Sequence, residues 1–134
     1  MIDHTGVVVS NFETSKVFYS TALGTIGLSL LMEFPASVTG STDVAGFGVS
    51  ESLAQGLSPE FWLTRGTPGA TPVHVAFRVS SHALVDAFHK AALGAGGRDN
   101  GAPGPRPQYH PTYYAAFVLD PDGHNIEAVC HTPS

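Results

Sequence analysis

The stretch that decides the fold is His4-Thr5-Gly6-Val7-Val8-Val9-Ser10, because it returns as His74-Val75-Ala76-Phe77-Arg78-Val79-Ser80. The offset is 70 residues, and it continues without a gap. Phe18 lies over Phe88, Ala22-Leu23-Gly24 over Ala92-Leu93-Gly94, and Gly27 over Gly97. Between 4–28 and 74–98, 8 of 25 positions are identical. That many matches in one register, both histidines among them, mark a duplication.

Each copy reads alike. A short β-branched, apolar run is a strand. Ser10-Asn11-Phe12-Glu13 has capping-box spacing, so a helix starts there. Thr14, Val17, Phe18 and Thr21 in the first copy, and Leu84, Ala87, Phe88 and Ala91 in the second, recur at helical spacing and define the expected inner stripe. Glycines then stop each helix. Three strands follow each one. They are placed at 27–33, 44–50 and 60–65, then at 98–100 or 105–109, 113–119 and 124–131. Asp120-Pro121-Asp122-Gly123 has type I turn chemistry and should join the last two strands as a hairpin. Thr67 to Pro72, with two prolines and a glycine, is the linker. The expected architecture is α+β, one domain over residues 1–134. It is built from two βαβββ modules, 1–66 and 72–134, whose curved mixed sheets form a shared cleft.

Composition limits what such a cleft can serve. The chain has 134 residues, 43% hydrophobic and 13% charged, with a net charge of −5. Six Lys and Arg, thinly spread, make no basic stripe for nucleic acid. Cys130 is the only cysteine, so neither an intrachain disulfide nor a cysteine-based zinc cluster can form. No apolar run is long enough to span a bilayer. A soluble, cytoplasmic protein without membrane or nucleic-acid partners is the expectation.

Strand alternation assigns faces. His4, Gly6 and Val8 share one side of the first strand, as His74, Ala76 and Arg78 do in its copy. Glu127 shares a side with Asn125, Val129 and His131. A carboxylate is costly to bury under a helix without a partner, which puts Glu127 toward the cleft.

His4 before an apolar strand, Thr14-Ser-Lys-Val-Phe-Tyr19 ending in Ala22-Leu23-Gly24, His74-Val-Ala-Phe, and above all Leu119-Asp-Pro-Asp-Gly-His-Asn-Ile-Glu127 resemble the vicinal-oxygen-chelate superfamily of glyoxalases, bleomycin-resistance proteins and extradiol dioxygenases. The resemblance covers essentially the whole chain. It implies metal ligands on the first and last strands of each module: His4, His74 and Glu127 fill three of the four positions. The fourth falls at or near Trp62, where glyoxalase I has a carboxylate; Glu60 has the same strand parity.

Two imidazoles and a carboxylate leave coordination positions open for a substrate, and they suit Fe, Mn, Zn or Ni. The resemblance then implies a divalent-metal-dependent lyase, isomerase or dioxygenase acting on a small oxygen-chelating substrate. Trp62, Arg78 and Tyr114 would shape the pocket. A fosfomycin-resistance-like thiol transferase or a metal-free drug-binding protein of the bleomycin-resistance type are the alternatives. The resemblance further implies a homodimer.

Overall fold

The duplication is plain in the backbone of the computed structural model, which describes residues 1–134. The first module runs β1 (Thr5–Val9), α1 (Phe12–Gly24), β2 (Ser29–Phe34), α2 (Ala36–Thr39), β3 (Val44–Gly48), α3 (Ser50–Ala54) and β4 (Phe61–Arg65). The second runs β5 (His74–Val79), α4 (His82–Gly94), β6 (Arg98–Pro105), β7 (Tyr114–Leu119) and β8 (Asn125–Cys130). Each module builds a four-stranded mixed sheet, in the orders β1-β4-β3-β2 and β5-β8-β7-β6. The first strand of each runs parallel to the last, and the remaining pairs are antiparallel. Two short helices, α2 and α3, were not expected from the sequence. The second-module strand of uncertain position proves to be a single irregular strand, β6, with register shifts at Asp99/Gly101 and Gly101/Gly104. No helix is long and apolar enough to cross a membrane.

Both helices are capped as their sequences require, though α1 takes Asn11 rather than Ser10. The Asn11 side chain accepts from the Thr14 N–H, as Ser81 does from Leu84 in α4. The buried stripe also lies one residue on from the expected one. Ser15, Phe18, Tyr19 and Ala22 are buried in α1, and Val85, Phe88 and Ala92 in α4, while Val17 stays 62% exposed. The same rotation in both copies brings Tyr19 and Leu23 inward, more apolar area than Thr14 and Thr21 could bury.

Twenty buried residues from both modules form one core. The helices pack against each other, and Phe61 of β4 meets Phe77 of β5 edge to face at 5.3 Å. Val7, Val9, Phe61, Leu63, Ile126, Ala128 and Cys130 supply the helix-facing sides of β1, β4 and β8. The opposite side of each sheet carries the alternate residues and neither α1 nor α4.

The Asp120–Gly123 hairpin turn closes as predicted, the Gly123 N–H donating to the Asp120 carbonyl at 2.9 Å. It also ties the modules together. Buried Asp120 accepts from the Tyr19 hydroxyl, and Asp122 accepts from both the N–H and the hydroxyl of Ser10. The turn therefore fixes where β8, and with it Glu127, begins.

Candidate functional site

The uncovered face of the second sheet carries a buried carboxylate. Glu127 is 1% exposed. It sits in the middle of β8, opposite Ala76 of β5 and Phe117 of β7, which puts it on the side away from the helices. Its Oε2 lies 3.0 Å from His74 Nε2, and its Oε1 accepts from the Tyr113 hydroxyl. No Lys or Arg reaches it; its only charged-type partner is His74. A buried carboxylate with no fixed cation is costly to keep, and here each of its oxygens is met, one by the His74 imidazole and one by the Tyr113 phenol.

The spacing of the pair fits half of a metal centre. Two donors each about 2.1 Å from one ion, at a right angle to it, lie roughly 3.0 Å apart, which is the His74–Glu127 separation. Both groups are metal-ligating types, on adjacent strands, with the imidazole half open to solvent and the carboxylate behind it. They fit a divalent ion.

His4 occupies the matching place in the first module but has other company. Its Nδ1 lies 2.6 Å from Asp3, and it lines a recess of about 340 Å³ with Gly6, Val44, Trp62 and Thr64, all first-module residues. Within one chain the structure brings His74 and Glu127 together and leaves His4 apart; no three His, Cys, Asp or Glu side chains gather around one point.

The register settles which residue stands where Glu127 stands in the repeat. Trp62 pairs with Gly6 as Glu127 pairs with Ala76, and Gly6 and Ala76 are 70 apart. Trp62 therefore holds the fourth position. Its indole lies over Gly46, stacks with Phe34 at 6.5 Å, and donates to the Pro59 carbonyl. Glu60 turns elsewhere: its carboxylate accepts from the Ser52 hydroxyl and the Val49 N–H, closing the turn into α3.

Arg78 is exposed on the same side of β5 as His74. It belongs to no ion pair in a chain of net negative charge, and it borders a recess with Ser80, His131 and Thr132. Tyr114 lies on the other side of its sheet. It packs against the core, stacks on His82 at 3.8 Å, and donates to Asp86, whose hydrogen bond raises its pKa.

Its neighbour Tyr113, part of the Tyr109, His110, Tyr113 and Tyr114 cluster but not among the residues expected to shape the pocket, is the one that reaches Glu127. Burial, then the hydrogen bond to Glu127, push its pKa up to about 12, so the phenol keeps its proton near neutral pH. Parity could have found it, since 113, 115 and 117 share a side and Phe117 faces Glu127 across the ladder. That inference needed the β7–β8 register, which sequence does not supply.

Comparison with known proteins agrees with this architecture. The family model for the glyoxalase/bleomycin resistance protein/dioxygenase superfamily matches residues 1–128. A glyoxalase/bleomycin resistance protein from Albidiferax ferrireducens T118 is 27% identical, with a TM-score of 0.76 over 96% of this chain and 97% of that one. A point mutant of glyoxalase I from Zea mays is 25% identical, with a TM-score of 0.71 over 97% of this chain but 46% of the maize chain. The fold is also that of a point mutant of FosX, a fosfomycin resistance protein from Listeria monocytogenes, complexed with Mn(II) and a dihydroxypropylphosphonic acid. There the identity is 15% and the TM-score 0.65, over 96% of this chain and 87% of that one. No curated protein sequence matches the chain.

Proposed function

The chain belongs to the glyoxalase/bleomycin resistance protein/dioxygenase superfamily, and from that membership we propose that it is a divalent-metal-dependent enzyme of lyase, isomerase or dioxygenase type. The observation that carries the reading is the His74–Glu127 pair, 3.0 Å apart, with the carboxylate buried on a helix-free sheet face. His74 and Glu127 would hold the ion, and His4 would be the third ligand. Because His4 stands apart from that pair in its own chain, we assign the third ligand to a second copy, making the enzyme a homodimer with paired sites. Fe, Mn, Zn and Ni all suit two imidazoles and one carboxylate.

Once bound, the ion supplies Lewis-acid polarisation of a substrate oxygen. The protein residues do the rest. Glu127 and His74 would hold the ion, and the half-exposed imidazole opens toward solvent, where a small chelating substrate can enter. Arg78, on the same strand face and without a carboxylate partner, draws in an anionic arm of that substrate. Trp62 offers a flat apolar wall beside His4 that keeps water from the reacting oxygen. The mutant FosX complexed with Mn(II) and a phosphonic acid is a precedent within the fold.

The test is metal analysis of protein purified without added metal, alongside His74→Ala. We expect about one ion per chain in the native protein and a large loss in the variant. A metal-free native protein that binds planar aromatic drugs would replace this reading with drug sequestration.

A further inference from the structure

We propose that Tyr113 is a positioning residue for Glu127: by occupying Oε1 of the carboxylate, it leaves Oε2 alone to bind the ion beside His74. The inference rests on the metal reading given above.

A carboxylate can grip a cation with one oxygen or with both, and which it does decides how many positions remain for a substrate. On Glu127 the two oxygens have separate partners. Oε2 faces His74 Nε2, and Oε1 accepts the Tyr113 hydroxyl. Hydrogen bonds to an ionised carboxylate are among the stronger ones in proteins, so Oε1 is committed before any ion arrives.

Tyr113 is well held for that task. It sits at the end of a tight turn preceding β7, where the Arg106 N–H donates to the Tyr113 carbonyl at 2.7 Å and the Tyr113 N–H to the His110 carbonyl at 3.1 Å. Its ring meets Tyr109 and His131 edge to face, each at 5.2 Å. A donor anchored on its backbone and on both ring neighbours does not have to be ordered when the ion binds. The phenol is also confined to the second module. In the first, Trp62 stands at the Glu127 position and has no carboxylate to orient. The duplication thus leaves one module with a prepared carboxylate and the other with a wall.

The experiment uses Co(II) as probe on the full-length protein, because the ion reports both its affinity and its ligand field. Calorimetry and visible absorption would compare the native chain with Tyr113→Phe and with Tyr109→Phe, whose hydroxyl makes no hydrogen bond to Glu127. Losing a group that orients a ligand typically weakens metal binding by about 10–100-fold. We expect that loss, with a changed Co(II) spectrum, in Tyr113→Phe and neither change in Tyr109→Phe. An unchanged affinity and spectrum in Tyr113→Phe overturns the role of Tyr113 while leaving the metal reading intact. A native protein that takes up no Co(II) overturns both. Should Tyr113→Phe fail to fold, infrared carboxylate stretches of the native Co(II) protein decide instead. A wide splitting between the asymmetric and symmetric bands supports one-oxygen binding by Glu127, and a narrow splitting overturns it.

Discussion

His124 reaches across the molecule to Val8: its Nε2 lies 2.8 Å from the Val8 carbonyl oxygen, between residues 116 apart in sequence. Its Nδ1 accepts the Val73 N–H at 3.0 Å, so Nε2 carries the proton and donates. One buried imidazole thereby satisfies the outer edge of β1 and the entry to β5 together. His124→Phe keeps the bulk and strands both backbone groups. Each unsatisfied buried group costs roughly 1–3 kcal/mol. We expect urea midpoints to fall by the equivalent of about 2–4 kcal/mol, with far-UV dichroism retained. A loss well below about 1 kcal/mol would show that water replaces the imidazole.

A second tie between the modules, Tyr19 to Asp120, makes a prediction about alkaline pH. Burial, and then the neighbouring Asp120 carboxylate, raise the Tyr19 pKa well above its ordinary value of 10.0. The folded state thus holds its phenolic proton where the unfolded chain releases it. The stability contributed by that proton is fully present below the unfolded pKa, and it is lost as pH rises from there toward the folded pKa. One proton corresponds to a slope of about 1.4 kcal/mol per pH unit. Denaturation curves of native protein and Tyr19→Phe, collected on both sides of about pH 10, should differ in slope by about that amount above it and not below. Parallel curves throughout would mean that Tyr19 titrates normally.

The fold was legible because the duplication repeats its physics: the same strand, cap, helix and glycine stop occur twice, and each occurrence corroborates the other. Strand parity groups Glu127 with Asn125, Val129 and His131, and the cost of burying a lone carboxylate under a helix points that group to the helix-free face, where the β8 register places Glu127. What remained hidden was everything set by contacts between distant strands. The helix stripe lies one residue on, because Tyr19 is drawn in by Phe47, Phe61 and Asp120, which no local window contains. Tyr114 is the pocket residue expected from the sequence, yet Tyr113 is the one on Glu127, because adjacent residues on a strand face opposite ways and the β7–β8 register comes only from the fold. The turn at Asp120 was read as a hairpin connection only, since its bonds to Ser10 and Tyr19 cross between modules. The bonds of His124 to Val8 and Val73 are likewise contacts across the molecule that no local window contains.

The Trp62 shelf depends on a glycine beneath it. A Cβ on Gly46 would come within 2.8 Å of Pro59 Cγ and 2.9 Å of Trp62 Cη2, so the indole must lift or tilt. Such crowding usually costs about 1–3 kcal/mol. Trp62 is the only tryptophan, so its fluorescence reports on this one place. Gly46→Ala should shift the emission maximum to the red as the ring meets water, and lower stability by that amount. An unchanged spectrum would mean that Pro59 alone gives way.

Whether one site draws on two chains can be settled by mixing variants. His4→Ala removes the first-module imidazole and leaves His74 and Glu127 in place. Glu127→Gln keeps the shape of the second-module side chain and removes its charge, leaving His4 in place. Each homodimer would carry two crippled sites, and losing one of three ligands weakens binding by orders of magnitude. A heterodimer of the two, isolated by different affinity tags, pairs the intact half-site of the first chain with the intact His4 of the second. It therefore regains about one tight ion per dimer, while its other site lacks both groups. If all three ligands came from a single chain, neither chain in that heterodimer would hold a complete set, and mixing would restore nothing. Tight binding in the isolated heterodimer, absent from both homodimers, is the outcome that a His4 supplied by the second copy requires.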